Sequence, residues 1–325
     1  ANGSAGVSGE MQPIVANENG ECIGFRVGTL TYGLLFRPEL KPGMLEDMAM
    51  EEDRPVPDTL GELIETSRAL WGEMEETTAR VAAALVAALA HNLGVARRHA
   101  GKAKIWAIIK ANAYGHGLLR AAKAFEAADG YAVLDFFEAL KLRNAGIAKP
   151  ILMLEGFFTP EDVPLLARHQ LTPVIHNLEQ VEILQKSALE GEIDAYLKVN
   201  SGMNRLGFNV DNVRVAWNVL KGHRQIRSVT MMTHLADAEG TTGVAAQLHW
   251  FNQMTQPFEA PRSLANSAAL LRFPETCADW VRPGLMLYGC SPFAETSAEA
   301  LGLKPAITLS SEIIGVQNLQ PGERV

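Results

Sequence analysis

From about residue 100 onward the sequence alternates short apolar runs with helical segments, and that alternation narrows the choice of fold more than any other feature. Eight runs read as strands: KIWAIIK, YAVLDF, PILMLEG, LTPVIH, AYLKVN, VTMMTH, RSLAN and VRPGLMLYG. Helical patterns such as GLLRAAKAFEAA, FEALKLRNAG and LEQVEILQKSALEG lie between most of them. Apolar strands separated by helices form a parallel sheet covered on both faces. About eight of them close naturally into an α/β fold of the (α/β)8 TIM type. In such barrels chemistry gathers at the carboxyl ends of the strands, so the polar residues ending these runs are the ones to examine.

The preceding part has a different texture. Residues 1–57 are punctuated by Gly and Pro and carry one hairpin pattern, ECIGFRV followed by TLTYGLLF, and then a loop interrupted by Pro38, Pro42, Pro55 and Pro57. From Asp58, which can cap a helix, Leu60, Leu63, Ile64, Leu70 and Met74 recur at helical spacing. An Ala-rich run continues that character to Ala100. The expected organisation is an N-terminal hairpin and loop segment over 1–57, a helical connector over 58–86, and a barrel over 87–305.

Composition excludes some partners. A net charge of −8 and a pI near 5.6 argue against nucleic acid or an anionic membrane as the main partner. Cys22, Cys277 and Cys290 are too few and too scattered for a disulfide framework or a metal site, which points to a reducing cytoplasm and no metal. No run approaches about eighteen uninterrupted apolar residues, and ANGSAGVSGEMQP lacks the features of a secretory signal, so no membrane partner is expected.

Lys110 follows the strand IWAII and opens KANAYGHG. Burial of its stem would favour a neutral amine able to condense with an aldehyde. Taken alone, a strand-end lysine is more often a solvated charge. Ser267, just before AAL, can cap a helix, and Arg282, beside Pro283, can be an ordinary surface residue. The motifs nevertheless follow one another in a telling order: KANAYGHG, YLKVNSGMNRLGF, THLADAE, LANSAAL and VRPGLMLYG. In this order they resemble the alanine racemase family, over about Ala87 to Val325.

That resemblance implies a barrel binding pyridoxal 5'-phosphate, with alanine or a similarly small amino acid as substrate, and a homodimer. Lys110 would carry the cofactor as a Schiff base and act as one of two catalytic bases. Tyr114 and Ser267, with Asn266 beside it and backbone amides near Gly284 and Leu285, would hold the phosphate. Arg282 would face the pyridine nitrogen and keep it unprotonated, since a guanidinium does not give up its proton under working conditions. His234 would pack near the ring and hydrogen-bond to Arg282. Arg205 would lie at the carboxylate end of the site, and Lys198 matches a lysine carbamylated in some members. Asn200 and Ser201 replace an aspartate and a threonine of the family pattern.

The family continues into a β-rich domain that supplies a tyrosine as second base. Within 306–325, AITLSSEIIGV and QPGERV read as the start of that domain, truncated. The expected function is racemisation of L-alanine to D-alanine by two-base proton transfer, impaired in this chain. The competing reading is a cofactor-binding barrel without racemase activity. A third is an assembly in which the acidic N-terminal region serves as an interaction module.

Overall fold

The computed structural model describes residues 11–16, 22–27, 31–34 and 60–306. The chain divides into two compact units, one of which is Glu76–Ala306. In the other, β1 (Met11–Ala16), β2 (Cys22–Val27) and β3 (Thr31–Leu34) form an antiparallel sheet in the order β1-β2-β3. The expected hairpin is β2–β3, with Val27 opposite Thr31 and Gly24 opposite Leu34. The sequence reading did not anticipate β1. Its Pro13 demotes the run as a strand, yet β1 lies at the sheet edge, where a missing N–H is tolerated. The loop expected over 38–57 and the C-terminal strand AITLSSEIIGV lie outside the described residues, apart from Ala306.

Residues 60–100 form one helix, α1 (Leu60–Ala100), so the connector and the first barrel helix are continuous. By length and composition Ala79–Ala100 would suffice to cross a membrane, which the search for an uninterrupted apolar run did not register. Its apolar residues have another use here. Leu89, Leu93, Val95 and Ala96 are buried in the main core, and Asn92 donates to the carbonyls of Leu287 and Lys304.

Eight parallel strands then close a barrel: β4 (Lys104–Ile108), β5 (Gly130–Val133), β6 (Ile151–Met153), β7 (Leu171–Ile175), β8 (Ile193–Lys198), β9 (Ile226–Met232), β10 (Arg262–Ser263) and β11 (Trp280–Val281). Each falls on one of the eight predicted runs. Closure comes from β11 pairing with β4 through Trp280↔Lys104 and Val281↔Ile105. Between the strands run α2 (Leu118–Ala124), α3 (Phe136–Asn144), α4 (Val163–Arg168), α5 (Leu178–Lys186), α6 (Val210–Gly222), α7 (Ala245–Thr255) and α8 (Ser267–Arg272).

The pleat divides each strand between two cores. On β4 and just beyond, Ile105, Ala107 and Ile109 pack outward under the helices, while Trp106 and Ile108 fill the barrel with Ala132, Leu152, Val174, Tyr196 and Met232. Trp106 donates its indole N–H to the Tyr196 hydroxyl at 2.7 Å and stacks on Trp280 with ring centres 4.3 Å apart. A β-carbon at Gly130 would lie 2.2 Å from the Trp106 ring, so glycine makes room for the filling residue. This plug leaves the space at the strands' carboxyl ends for a site.

Candidate active site

The residue after a barrel strand leaves the ladder at the mouth, and that is where the functional groups appear. Lys110 lies two residues beyond β4, Glu155 two beyond β6, and His234 two beyond β9. Lys198 ends β8, and Arg282 directly follows β11. The ten residues to which the resemblance gives a role, Asn200 and Ser201 aside, all line one cavity of about 410 Å³ at this end, a size that suits a small organic ligand.

Lys110 stands at the entry to an unusual piece of backbone. Ala111, Asn112, Ala113 and Tyr114 have φ of 53°, 52°, 56° and 52°, a left-handed turn built without glycine. Such a conformation costs roughly 1–2 kcal/mol per residue, so the surroundings must hold it. The turn closes through Ala113 N–H to the Ile109 carbonyl and Gly117 N–H to the Asn112 carbonyl, 2.9 and 3.0 Å. Tyr288 supports it from below. Its ring lies 4.7 Å from those of both Tyr114 and His116, and its hydroxyl donates to the Ile108 carbonyl at 2.9 Å. Lys110 itself is half-buried, less enclosed than the sequence reading anticipated.

One corner of the cavity gathers donors suited to a phosphate. Asn266 caps α8 by accepting from Ala269 N–H, and its amide donates to the Leu235 carbonyl. Ser267 is therefore not the cap, contrary to the simplest local reading of LANSAAL. Its hydroxyl oxygen instead accepts from the amides of Gly284 at 2.9 Å and Met286 at 3.3 Å. The amides meeting at Ser267 are thus those of Gly284 and Met286, and Leu285 contributes to the cavity wall. A β-carbon at Gly284 would come within 2.8 Å of the Tyr114 hydroxyl, so only glycine lets these groups converge.

Another part of the lining is cationic. Arg282 is buried, with Nη1 donating to the Ser263 hydroxyl and Nη2 to the carbonyls of Thr233 and Leu264. The anticipated hydrogen bond from His234 to Arg282 is not made. Thr233, one residue earlier, presents a carbonyl to the guanidinium, because the side chain and carbonyl of neighbouring residues point in different directions at the strand end. Nε–H and the second hydrogen on Nη1 meet no acceptor among the described residues and can serve a ligand. Burial lowers the Arg282 pKa to about 10, which still leaves it charged at neutral pH.

His234 is held neutral. Burial first, then Arg282, Lys198, Arg205 and Lys110, push its pKa down to about 3. Lys198 feels burial first, then Arg282, Arg205 and Lys110, and falls to about 8. Asn200, at the family's aspartate position, orders the loop leading to Arg205. Its carbonyl oxygen accepts from Gly202 and Asn204 N–H, and its amide donates to the Asn204 side chain. Ser201 shares a 2.7 Å hydrogen bond with Thr233, whose own carbonyl binds Arg282.

The cavity also holds Glu155 and Glu239, which the sequence reading did not single out. Glu155 could have been found, because it is a polar residue ending the predicted strand PILMLEG. Glu239 closes the motif THLADAE but lies in a loop, away from any strand end. The donor set fits pyridoxal 5'-phosphate: an amine, the hydroxyls of Tyr114 and of Ser267, the latter held by two backbone amides, and a guanidinium.

Comparisons with known proteins identify the family. A family profile described as alanine racemase, N-terminal domain, matches residues 86–292. The alanine racemase of Paraburkholderia phytofirmans is 49% identical over 239 residues, covering 73% of this chain and 67% of that protein. The crystal structure of the biosynthetic alanine racemase from Pseudomonas aeruginosa superposes with a TM-score of 0.65 at 38% identity, over 68% of this chain and 62% of that one. The alanine racemase of Acinetobacter baumannii gives 0.61 at 33%, over 67% and 66%. The chain thus spans about two thirds of the length of these relatives. With the motifs in order and the barrel closed as theirs is, the chain belongs to the alanine racemase family.

Proposed function

We propose that this barrel binds pyridoxal 5'-phosphate on Lys110 and racemises alanine, or a similarly small amino acid, by proton transfer at the α-carbon. The observation that carries the reading is the convergence of Lys110, Tyr114, Ser267, Gly284 and Arg282 on one cavity at the strands' carboxyl ends. When bound, the cofactor supplies an aldehyde for an amine and a conjugated ring that draws electrons from the α-carbon.

The remaining work falls to the protein. Tyr114 and Ser267, with the nearby amides, hold the phosphate corner. Arg282 would donate to the ring nitrogen without protonating it, which would favour prompt return of the α-proton over side reactions. Neutral His234 packs beside it without adding charge. The Lys110 amine removes or returns the proton on the face it occupies. Racemisation needs a second acid–base group on the opposite face, and the family resemblance assigns that group to a tyrosine of the β-rich domain. Arg205 is suited to the substrate carboxylate. Conversion of Lys198 to a carbamate would turn one of the crowded cations into an anion that pairs with its arginine neighbours.

Borohydride reduction of the cofactor-loaded protein, followed by peptide mass analysis, tests the assignment. An adduct on Lys110, abolished in Lys110→Ala, is the expected result. An adduct on Lys104 or Lys198 would reject it.

A further inference from the structure

The turn that carries Lys110 and Tyr114 is strained, and one of its amides, that of Asn112, is satisfied by a side chain from outside the turn. An ordinary turn would pair Asn112 N–H with the carbonyl of Ile108. That carbonyl accepts the Tyr288 hydroxyl, at 2.9 Å, and not the Asn112 amide. The amide instead donates across to another element, to Oε1 of Glu138 on α3, at 2.7 Å. Glu138 is 7% exposed and makes no ion pair among the described residues. A buried carboxylate without a cation is costly, so its hydrogen bonds have to compensate.

Its other oxygen accepts from Leu134 N–H at 3.3 Å, next to the start of α3. That helix is already capped by Asp135, which accepts from the Glu138 amide at 2.9 Å. The stronger half of Glu138's bonding is therefore directed at the turn, 26 residues away in sequence. Asn112 completes the arrangement, since its side-chain oxygen accepts from Leu118 N–H at 2.9 Å and ties the turn to α2.

We propose that Glu138 is a positioning residue of the cofactor site: its buried carboxylate holds the left-handed turn 111–114 in place and thereby sets where Lys110 and Tyr114 point. It touches neither cofactor nor substrate and acts through the Asn112 amide. The inference rests on the assignment of Lys110 and Tyr114 to the cofactor made above. A carboxylate suits the position because both its oxygens accept, and both groups facing it are N–H donors.

The test uses the full chain and two conservative variants. Glu138→Asp withdraws the carboxylate beyond reach of Asn112 while keeping its charge. Glu138→Gln keeps an acceptor oxygen in reach of the Asn112 amide and gives up only the longer bond, 3.3 Å, to Leu134 N–H. In cofactor-free protein, hydrogen exchange at residues 111–117 should be about tenfold faster in Glu138→Asp, the scale of losing one hydrogen bond to a charged group, with β8 exchanging as in wild type. The Kd for pyridoxal 5'-phosphate should rise about tenfold, and Glu138→Gln should restore both to within about threefold of wild type.

Wild-type exchange in the turn of Glu138→Asp would overturn the proposal. So would exchange that rises equally in β8, or a Glu138→Gln variant as impaired as Glu138→Asp, since each marks a general structural role. The exchange measurement needs no cofactor. If borohydride fails to label Lys110 in the wild type, the functional assignment fails separately from the clamp.

Discussion

Replacing Lys198 with methionine should make the protein more stable at neutral pH, even though it removes a residue lining the site. Lys198 is 7% exposed and has no ion-pair partner among the described residues. Burial, then Arg282, Arg205 and Lys110, bring its pKa from 10.5 to about 8. At about 1.4 kcal/mol for each tenfold change in proton affinity, the charged amine is disfavoured in the fold by roughly 3 kcal/mol at most. The sign follows from linkage. Between pH 8 and 10.5 the unfolded chain binds this proton and the folded protein does not, so stability rises with pH across that window and is lowest below it. Methionine keeps the apolar stem and carries no charge. The variant should therefore gain roughly 1–3 kcal/mol at pH 7, and the gain should vanish by about pH 10.5. Urea unfolding of both proteins across this pH range, in buffers free of carbon dioxide, measures it. Adding bicarbonate near pH 8 should then stabilise the wild type alone, because a carbamate on Lys198 relieves the same crowding of cations. A variant no more stable at pH 7, or a difference that does not shrink as pH rises, would refute the reasoning.

Three further outcomes follow from the same geometry. Gly284→Ala should displace the Tyr114 hydroxyl from a position 2.8 Å from the new β-carbon, raising the cofactor Kd about tenfold while costing roughly 1–3 kcal/mol of stability. Titration with the cofactor, alongside urea unfolding, reads both, and an unchanged Kd would contradict the crowded corner. Arg282→Leu leaves the Thr233 and Leu264 carbonyls and the Ser263 hydroxyl without their donor; a loss of roughly 2–5 kcal/mol is expected, and a neutral result would mean that these bonds contribute little. His234, with its pKa near 3 in the fold and 6.5 otherwise, should cost the protein stability as pH falls through that window. His234→Gln should flatten this part of the stability profile, and an unaltered slope would show that the imidazole is not held neutral.

What the sequence determined by itself is the fold of its larger part and the chemical character of the mouth. A buried parallel strand must be apolar on both faces, and eight such runs separated by helices leave few alternatives to a closed barrel. The polar residues ending those runs then mark the site, which is why Lys110 and His234 stand at marked positions and why Glu155 could have been found, whereas Lys198 and Arg282 lie inside their runs and became candidates only through the family resemblance. Composition also made Ala79–Ala100 apolar, but only the packing of Leu89 and Leu93 into the core identifies this helix as a cover for the barrel.

Tertiary structure decided the contacts between groups far apart in the chain. Propensity alone does not place ANAY in a left-handed turn, since only Asn112 of its four residues favours that region. The turn depends on Tyr288, which occupies the Ile108 carbonyl from 180 residues away, and on Glu138, which accepts the Asn112 amide. Arg282 likewise takes the Thr233 carbonyl rather than the His234 ring, because strand geometry presents the one to the guanidinium and not the other. Sequence periodicity records which face a residue is on. It carries no information about which of two neighbouring acceptors a distant donor will reach, and the positions of Lys110, Tyr114 and Arg282 depend on such choices.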